Sequence, residues 1–393
     1  MNTLFVLSNS PGEIAGWMGP VAKAAAERGG IELKAVTLPC PYASGREAQC
    51  ALVFPCVTEA LSFREAIAEK RREGEKISVL QLGGDPFFGY ALSKKLRAPW
   101  TIYTSRPRWR RSVTRYFIPD EAAEKRFRKA GVPETQWLKT GNLMLDSVPR
   151  VTEEQKKAFL SEWGLEKGPV IAFMAGSRPF EYETAFPFFV QTALLLRESF
   201  PEWQAVLPVA PTVEQGRLEV SLESAGFRLE KENKALCVKA GSHGIPLLRE
   251  GQYEALAAAS LIVALPGTNN LQAAALGTPL LMAAPLNKAE EIPLDGLAGD
   301  IPLSWPGMRR AKKQLVHWYN GREKYLSLPN RLTGERLVPE RRELMTPESL
   351  CLYVGEYLKA PELREKIAGG YSRLDLTKGA AAKIVAALEN CFR

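Results

Sequence analysis

Val170-Ile171-Ala172-Phe173-Met174-Ala175-Gly176-Ser177-Arg178-Pro179-Phe180-Glu181 reads as a buried strand that ends in small residues and passes directly into a helix. An unbroken apolar run of this length suits a strand covered on both faces, as in a parallel sheet. Its Gly-Ser-Arg ending opens backbone N–H groups and a guanidinium toward one point, a combination that suits a diphosphate. The amino terminus repeats the arrangement. Leu4 to Leu7 is apolar, Ser8-Asn9-Ser10-Pro11-Gly12-Glu13-Ile14-Ala15-Gly16-Trp17 follows, and a helical pattern runs over Val21 to Glu27. A plain strand-to-helix connection stays open as the reading of either turn taken alone.

Further strand and helix patterns alternate outward from these two starts. After the first come Ser78 to Leu82, a helix over Gly89 to Leu96, and Trp100 to Tyr103. After the second come a helix over Ala185 to Ser199, Gln204 to Val209, a helix over Glu214 to Ala225, Leu261 to Leu265, and a helix over Asn270 to Ala275. Such alternation predicts α/β architecture with parallel sheets, here two Rossmann-like halves. The charged stretch Val151 to Lys167, closed by Gly168-Pro169, is read as the join. Beyond about Trp305 the strand pattern stops, and Gly379 to Leu388 is an apolar-faced helix. The expected domains are 1–165, 166–345 and a helical segment 346–393 packing back on the first domain or on a partner subunit.

The 393 residues accommodate two domains of roughly 150 to 200 residues. Charged residues make up 24% and the mean hydropathy is −0.16, as in soluble globular chains. No run approaches the ~20 apolar residues of a spanning helix. The first residues read as a strand rather than a leader, and six scattered cysteines without C-x-x-C spacing predict reduced thiols. Together these predict a cytoplasmic address. With only His243 and His317 no zinc set forms, and no metal or other cofactor is expected. His243 is a surface-loop histidine or, less favoured, a proton carrier beside a cleft; His317 reads as structural.

The charge of +8 is uneven. Lys94 to Lys129 holds twelve Lys and Arg against three Asp and Glu, and Arg106, Arg108, Arg110 and Arg111 fall within six positions beside Trp109. Trp100, Arg115 and Tyr116 lie in the same stretch. A solvated face is one reading; an anionic surface is favoured, and nucleic acid is not, since no nucleic-acid module is visible.

The first strand is not followed by G-x-G-x-x-G, which argues against a nicotinamide dehydrogenase, and no Walker A sequence is present. Leu261-Ile262-Val263-Ala264-Leu265-Pro266-Gly267-Thr268-Asn269-Asn270-Leu271-Gln272 is a second strand-turn-helix start in the second half. Two such turns in one domain could hold both ends of a nucleotide diphosphate.

The order of P-G-E-I-A-G, A-G-S-R-x-x-E, G-T-N-N-L-Q-A-A-A-L-G-T-P and P-N-R-L-T-G-E-R-L-V-P-E resembles the lipid-A-disaccharide synthases nearly end to end. Gly141-Asn142-Leu143-Met144-Leu145-Asp146 is similar to that family's G-H-P-L-x-D. The resemblance implies the glycosyltransferase-B fold: two facing Rossmann-like domains, acceptor on the first, UDP-sugar on the second, and a carboxyl-terminal segment crossing back, in a homodimer between subunits. It places Gly176, Ser177 and Arg178 on the diphosphate turn, and Gly267, Thr268, Asn269, Asn270 and Gln272 on the second nucleotide turn. Asn330 and Glu340 fall on the family's later Asn and Glu. Glu13 matches the Glu of G-E-x-S-G-D. Ser10 and Gly12, with Arg106, Arg108, Trp109, Arg110 and Arg111, become the acceptor or membrane-facing set.

Departures from the family fall at chemically important positions. Trp17 stands where the first motif ends in Asp, Asn142 replaces His, and Gln272 replaces Glu. The family's D-x-P-D is here Gly84-Asp85-Pro86-Phe87, so Asp85 aligns only with a shift of one residue. Transfer to a hydroxyl needs a base, and the missing carboxylates leave Glu13 or Asp85.

The resulting expectation is a transferase moving a sugar of N-acetylhexosamine type from a UDP-sugar to a lipid-linked or phosphorylated acceptor, at the inner membrane face. Two rival readings stay open. One is a UDP-N-acetylglucosamine 2-epimerase-like enzyme, whose signature is turnover without acceptor; the other is a non-catalytic nucleotide-sugar-binding protein, whose signature is UDP binding without transfer.

Overall fold

The computed structural model describes residues 2–232, 235–240, 243–288, 291 and 308–392. The chain divides into two units, Met1–Ser147 with Leu376–Arg393, and Val148–Asp375. The expected boundaries at 165 and 345 therefore shift. Helix Glu153–Glu162 belongs to the second unit because Phe159 enters that unit's core.

The first unit holds β1 (Asn2–Ser8), β2 (Ile31–Thr37), β3 (Val57–Ser62), β4 (Lys76–Gln81), β5 (Trp100–Tyr103), β6 (Arg115–Ile118) and β7 (Trp137–Lys139). They form one sheet in the order β3-β2-β1-β4-β5-β6-β7, with every pairing parallel. Leu4 and Val6 enter one apolar cluster and Phe5 and Leu7 another. Alternate side chains of the same strand thus reach two cores, which explains the continuous apolar run.

The second unit holds β8 (Val170–Met174), β9 (Gln204–Pro208), β10 (Arg228–Glu232), β11 (Ala235–Ala240), β12 (His243–Leu248), β13 (Leu261–Ala264), β14 (Leu280–Pro285) and β15 (Glu340–Glu343). Their order is β10-β11-β12-β9-β8-β13-β14-β15. Pairing is parallel except for the antiparallel ribbon β10-β11-β12. β15 overturns the expectation that strands end near Trp305, a residue outside those described. Its sequence Glu-Arg-Arg-Glu has no apolar alternation, and it forms a strand by pairing along the edge of β14.

Not all of 346–393 returns to the first unit. Helix Pro347–Lys359 stays on the second, where Leu350, Val354 and Leu358 are buried and Gly355 lies so close to the Phe200 ring that a Cβ would sit 2.8 Å from it. Only the last stretch crosses back. Helix Ala380–Leu388 packs on helix Gly19–Arg28, sharing with Val21, Ala22 and Ala25 a cluster that includes Ile384, Val385 and Leu388. Burying those three side chains contributes about 1.5–3 kcal/mol each. No helix among the described residues is long and apolar enough to cross a membrane.

Candidate functional site

Each unit has a point where successive crossovers diverge. β1 pairs with β2 on one side and β4 on the other; β8 pairs with β9 and β13. Loops leaving the carboxyl ends of such strands part and leave a crevice, where open α/β sheets bind ligands. The turn at Ser8–Glu13 lies at the first such point. The turns at Gly176–Arg178 and Gly267–Asn269 flank the second.

At the first point, Pro11 opens a helical turn whose third residue is Glu13. The carboxylate folds back, its Oε2 accepting from Ser8 Oγ and from the N–H of Asn9, both at 3.4 Å. It rests against Gly83 just beyond β4, where a Cβ would fall 1.8 Å from that oxygen and push the carboxylate aside. The Ser10 carbonyl accepts from the N–H groups of Glu13 (3.1 Å) and Ile14 (3.0 Å), while Gly12 is half-buried in the same turn. Asp85 is exposed and caps helix Pro86–Leu96, its Oδ1 accepting from Phe87 N–H at 2.8 Å.

Two departures from the family pattern have structural roles. Trp17 sits on a π-helical turn, Ile14–Met18, with its ring edge-on to Tyr103 at 5.4 Å. The Tyr103 hydroxyl donates to Gly141 O (3.3 Å) and accepts from Leu143 N–H (3.2 Å), and burial pushes its pKa up, keeping it neutral. Asn142 caps helix Leu143–Asp146 by accepting from Met144 N–H at 3.0 Å.

The basic stretch separates into core and surface. Trp100 and Tyr116 are buried on β5 and β6, and Arg115 is half-buried at the start of β6, so these three leave the proposed surface. Arg106, Arg108, Arg110 and Arg111 are exposed. Trp109 is 39% exposed, in a left-handed backbone conformation (φ +59°), and stacks on Tyr90 at 4.9 Å.

At the second point the turn is built differently from expectation. The N–H groups of Ser177 and Arg178 already donate to Glu181 Oε2, at 2.8 and 2.9 Å. Glu181 is the third residue of helix Pro179–Ser199 and folds back as Glu13 does. A Cβ on Gly176 (φ +90°) would lie 2.0 Å from the Glu181 carboxylate. Burial pushes the Glu181 pKa up, against the lowering by Arg178 and the two amides. The Arg178 guanidinium lies 3.8 Å from Glu181 and stays 40% exposed. What this turn offers an anion is therefore the guanidinium, with its amides held internally.

Gly267 and Thr268 are exposed at the second turn, and Thr268 precedes helix Asn269–Ala275. Asn269 Oδ1 accepts from Asn270 Nδ2 at 3.0 Å. Asn270 is fully buried and also donates to Leu265 O at 2.9 Å. Gln272 Nε2 donates to the Tyr253 hydroxyl at 3.0 Å.

Asn330 and Glu340 are hydrogen-bonded to each other and to the backbone around them. Asn330 Nδ2 donates to Val338 O (2.7 Å) and Glu340 Oε1 (2.8 Å), while its Oδ1 accepts from Leu337 N–H (2.7 Å) and Val338 N–H (2.8 Å). Glu340 also accepts from the N–H groups of Leu326 (3.0 Å) and Ser327 (2.9 Å). All four hydrogen-bonding positions of the Asn330 amide are used, and the pair is buried. They brace the chain between helix Leu328–Thr333 and β15.

Comparison with known proteins agrees with the motif order. A family model described as lipid-A-disaccharide synthetase matches residues 116–289. The lipid-A-disaccharide synthase of Myxococcus xanthus is 27% identical over 84% of this chain and 76% of its own. That of Thiobacillus denitrificans is 27% identical over 73% of this chain and 68% of its own. The chain is similar to the lipid-A-disaccharide synthases, as a divergent relative of them. Among solved structures, the UDP-GlcNAc 2-epimerase from Neisseria meningitidis covers 99% of this chain and 100% of its own with a TM-score of 0.53 at 15% identity, a likeness of fold. The two-domain α/β fold of glycosyltransferase-B type is thus present in this chain. The matched segment includes the turns at Gly176–Arg178 and Gly267–Asn269 and Gly141–Asp146, and leaves out Glu13, Asp85, Asn330 and Glu340.

Glu181 was absent from the candidate residues although a signal for it exists. Asn9-Ser10-Pro11-Gly12-Glu13 and Ser177-Arg178-Pro179-Phe180-Glu181 share Pro and Glu in the same register. Proline at the first helical position with a glutamate two later marks a carboxylate that folds back on the turn before it.

Proposed function

We propose that the chain is a glycosyltransferase that moves an N-acetylhexosamine-type sugar from a UDP-sugar to a lipid-linked or phosphorylated acceptor, working in the cytoplasm at the inner face of the membrane. The observation that carries the reading is the family relationship, joined in the second unit by two strand-turn-helix starts on either side of the β8–β13 pairing.

In the reaction the acceptor hydroxyl oxygen bonds to the anomeric carbon as the bond from that carbon to the diphosphate breaks. The bonding electrons leave with UDP, whose added charge Arg178 offsets. Gly267, Thr268 and the start of helix Asn269–Ala275 supply the second nucleotide contact. The hydroxyl proton passes to a carboxylate, assigned to Glu13 with Asp85 as the alternative. Glu13 is favoured because Asp85 already caps a helix. Arg106, Arg108, Trp109, Arg110 and Arg111 form the face toward the acceptor or an anionic bilayer.

The test is incubation with UDP-N-acetylglucosamine and its acylated forms against a panel of phosphosugar and lipid acceptors, with UDP and products read by mass spectrometry. Acceptor-dependent UDP release is expected. Turnover without any acceptor would move the assignment to an epimerase. UDP binding with no turnover would leave a nucleotide-sugar-binding protein.

A further inference from the structure

We infer that Tyr182 is a positioning residue for the nucleotide, acting with Glu181 to clamp one peptide group of the turn after β8 and tie it to the loop after β9. The inference rests on the donor assignment above. The Tyr182 hydroxyl donates to Gly176 O at 3.0 Å. Glu181 accepts from Ser177 N–H at 2.8 Å. That carbonyl and that N–H belong to a single peptide unit, so consecutive side chains hold both of its ends. Gly176 has φ +90°, and a glycine peptide is the one most able to turn over. Rotation here would bring the carbonyl oxygen toward the Glu181 carboxylate and remove it from the Tyr182 hydroxyl, so the clamp fixes which face the turn shows a diphosphate.

The same hydroxyl reaches the neighbouring loop, accepting from Ala210 N–H at 3.4 Å. Gly176 follows β8 and Ala210 follows β9, and the two strands are adjacent. Tyr182 therefore joins two rims at the carboxyl edge of the sheet. Its own position is secured independently: it is 2% exposed, its ring lies 5.2 Å from that of Phe186, and its main-chain carbonyl accepts from Ser221 Oγ at 2.6 Å. A rigid anchor of this kind transmits position, since a buried phenol in a packed helix has little room to follow a moving turn.

The experiment compares the parent, Tyr182→Phe and Ser221→Ala by UDP calorimetry, melting temperature and amide hydrogen exchange. Tyr182→Phe removes only the hydroxyl. It should raise the UDP Kd by about 5- to 10-fold, the worth of the bond to Gly176 O, and, with the longer bond from Ala210 also lost, speed exchange at Ser177 and Ala210. Ser221→Ala removes a bond to the same residue without touching the clamp and should leave the Kd unchanged. Tyr182→Phe with parental Kd overturns the inference while the donor reading stands. Equal weakening in both variants, in proportion to lost melting temperature, reduces Tyr182 to a folding role and overturns it too. A parent that binds no UDP sinks the donor reading itself and the inference with it.

Discussion

The Asp146 carboxylate accepts from the backbone N–H of Gly379 at 2.6 Å, and its second oxygen accepts from Ala381 at 2.6 Å. The Asp of the Gly141–Asp146 motif is thereby the cap of a helix more than two hundred residues later in the chain. It satisfies donors that a helix start leaves open, and its charge suits the positive end of the helix. Asp146→Ala should destabilise the first unit by about 1–3 kcal/mol, and Asp146→Asn by less, because one acceptor survives. Denaturant titration gives the size. Faster hydrogen exchange confined to 376–392 would place the effect at the cap, and unchanged exchange there would refute it.

Arg178→Ala should weaken UDP binding by about 1.5–3 kcal/mol, the range for a hydrogen bond to a charged group. The turn amides are engaged with Glu181, so the guanidinium is the principal contact that the turn can offer. Its side chain is 40% exposed, and melting temperature should change little. Parental UDP affinity in this variant would remove the turn from the donor site.

How legible the fold was depended on burial. β1, β4, β5, β8, β9 and β13 were readable because each is apolar and largely buried. β3, with Thr58, Glu59 and Ser62 on a half-exposed edge, and β15, with four charged residues, carry no such run and become strands only through a neighbour's hydrogen bonds. The site was legible as turns but not as contacts. Spacing located Gly176–Arg178 and Gly267–Thr268, yet could not say that Glu181 takes the amides or that Asn330 and Glu340 take each other. Those facts depend on which donors face which acceptors after folding.

Asn330→Ala and Glu340→Gln should act on stability first. Asn330→Ala takes the Asn330 partner from the Leu337 and Val338 N–H groups and the Val338 carbonyl and one of three donors from Glu340, a loss of about 2–5 kcal/mol, while Glu340→Gln loses less. Any fall in UDP affinity should track the unfolded fraction. A variant that keeps its melting temperature and loses UDP would restore these residues to the nucleotide contact set.

Replacing Arg108, Arg110 and Arg111 together by Gln should sharply lower binding to vesicles containing anionic lipid and leave UDP affinity unchanged. All three are exposed, beside a Trp109 that is braced against Tyr90 rather than buried. Raising salt should reproduce the loss in the parent, because screening acts over ~10 Å at 0.1 M. Equal vesicle binding by parent and variant would make the stretch a plain solvated face.

Glu13 offers the sharpest separation of chemistry from folding, because its carboxylate can be removed in one way and displaced in another. Glu13→Gln keeps the shape and the capacity to accept from Ser8 and Asn9, whose bonds at 3.4 Å are long and weak compared with those gathered by Glu181. It should melt near the parent temperature, bind UDP equally well, and lose transfer by roughly 10²- to 10⁴-fold, the worth of a general base. Gly83→Ala leaves the glutamate in the sequence but puts a methyl group 1.8 Å from its Oε2, forcing the carboxylate aside. If Glu13 takes the proton, Gly83→Ala should also cut the transfer rate with UDP affinity intact, although no titrating group has been changed. Asp85→Asn, which can still cap Phe87 through its amide oxygen, should retain most of the rate. Full transfer by Glu13→Gln with loss in Asp85→Asn would assign the base to Asp85. Loss in Glu13→Gln and Gly83→Ala only in proportion to lowered melting temperature would make Glu13 what Glu181 is in the second unit, a carboxylate that holds its own turn together.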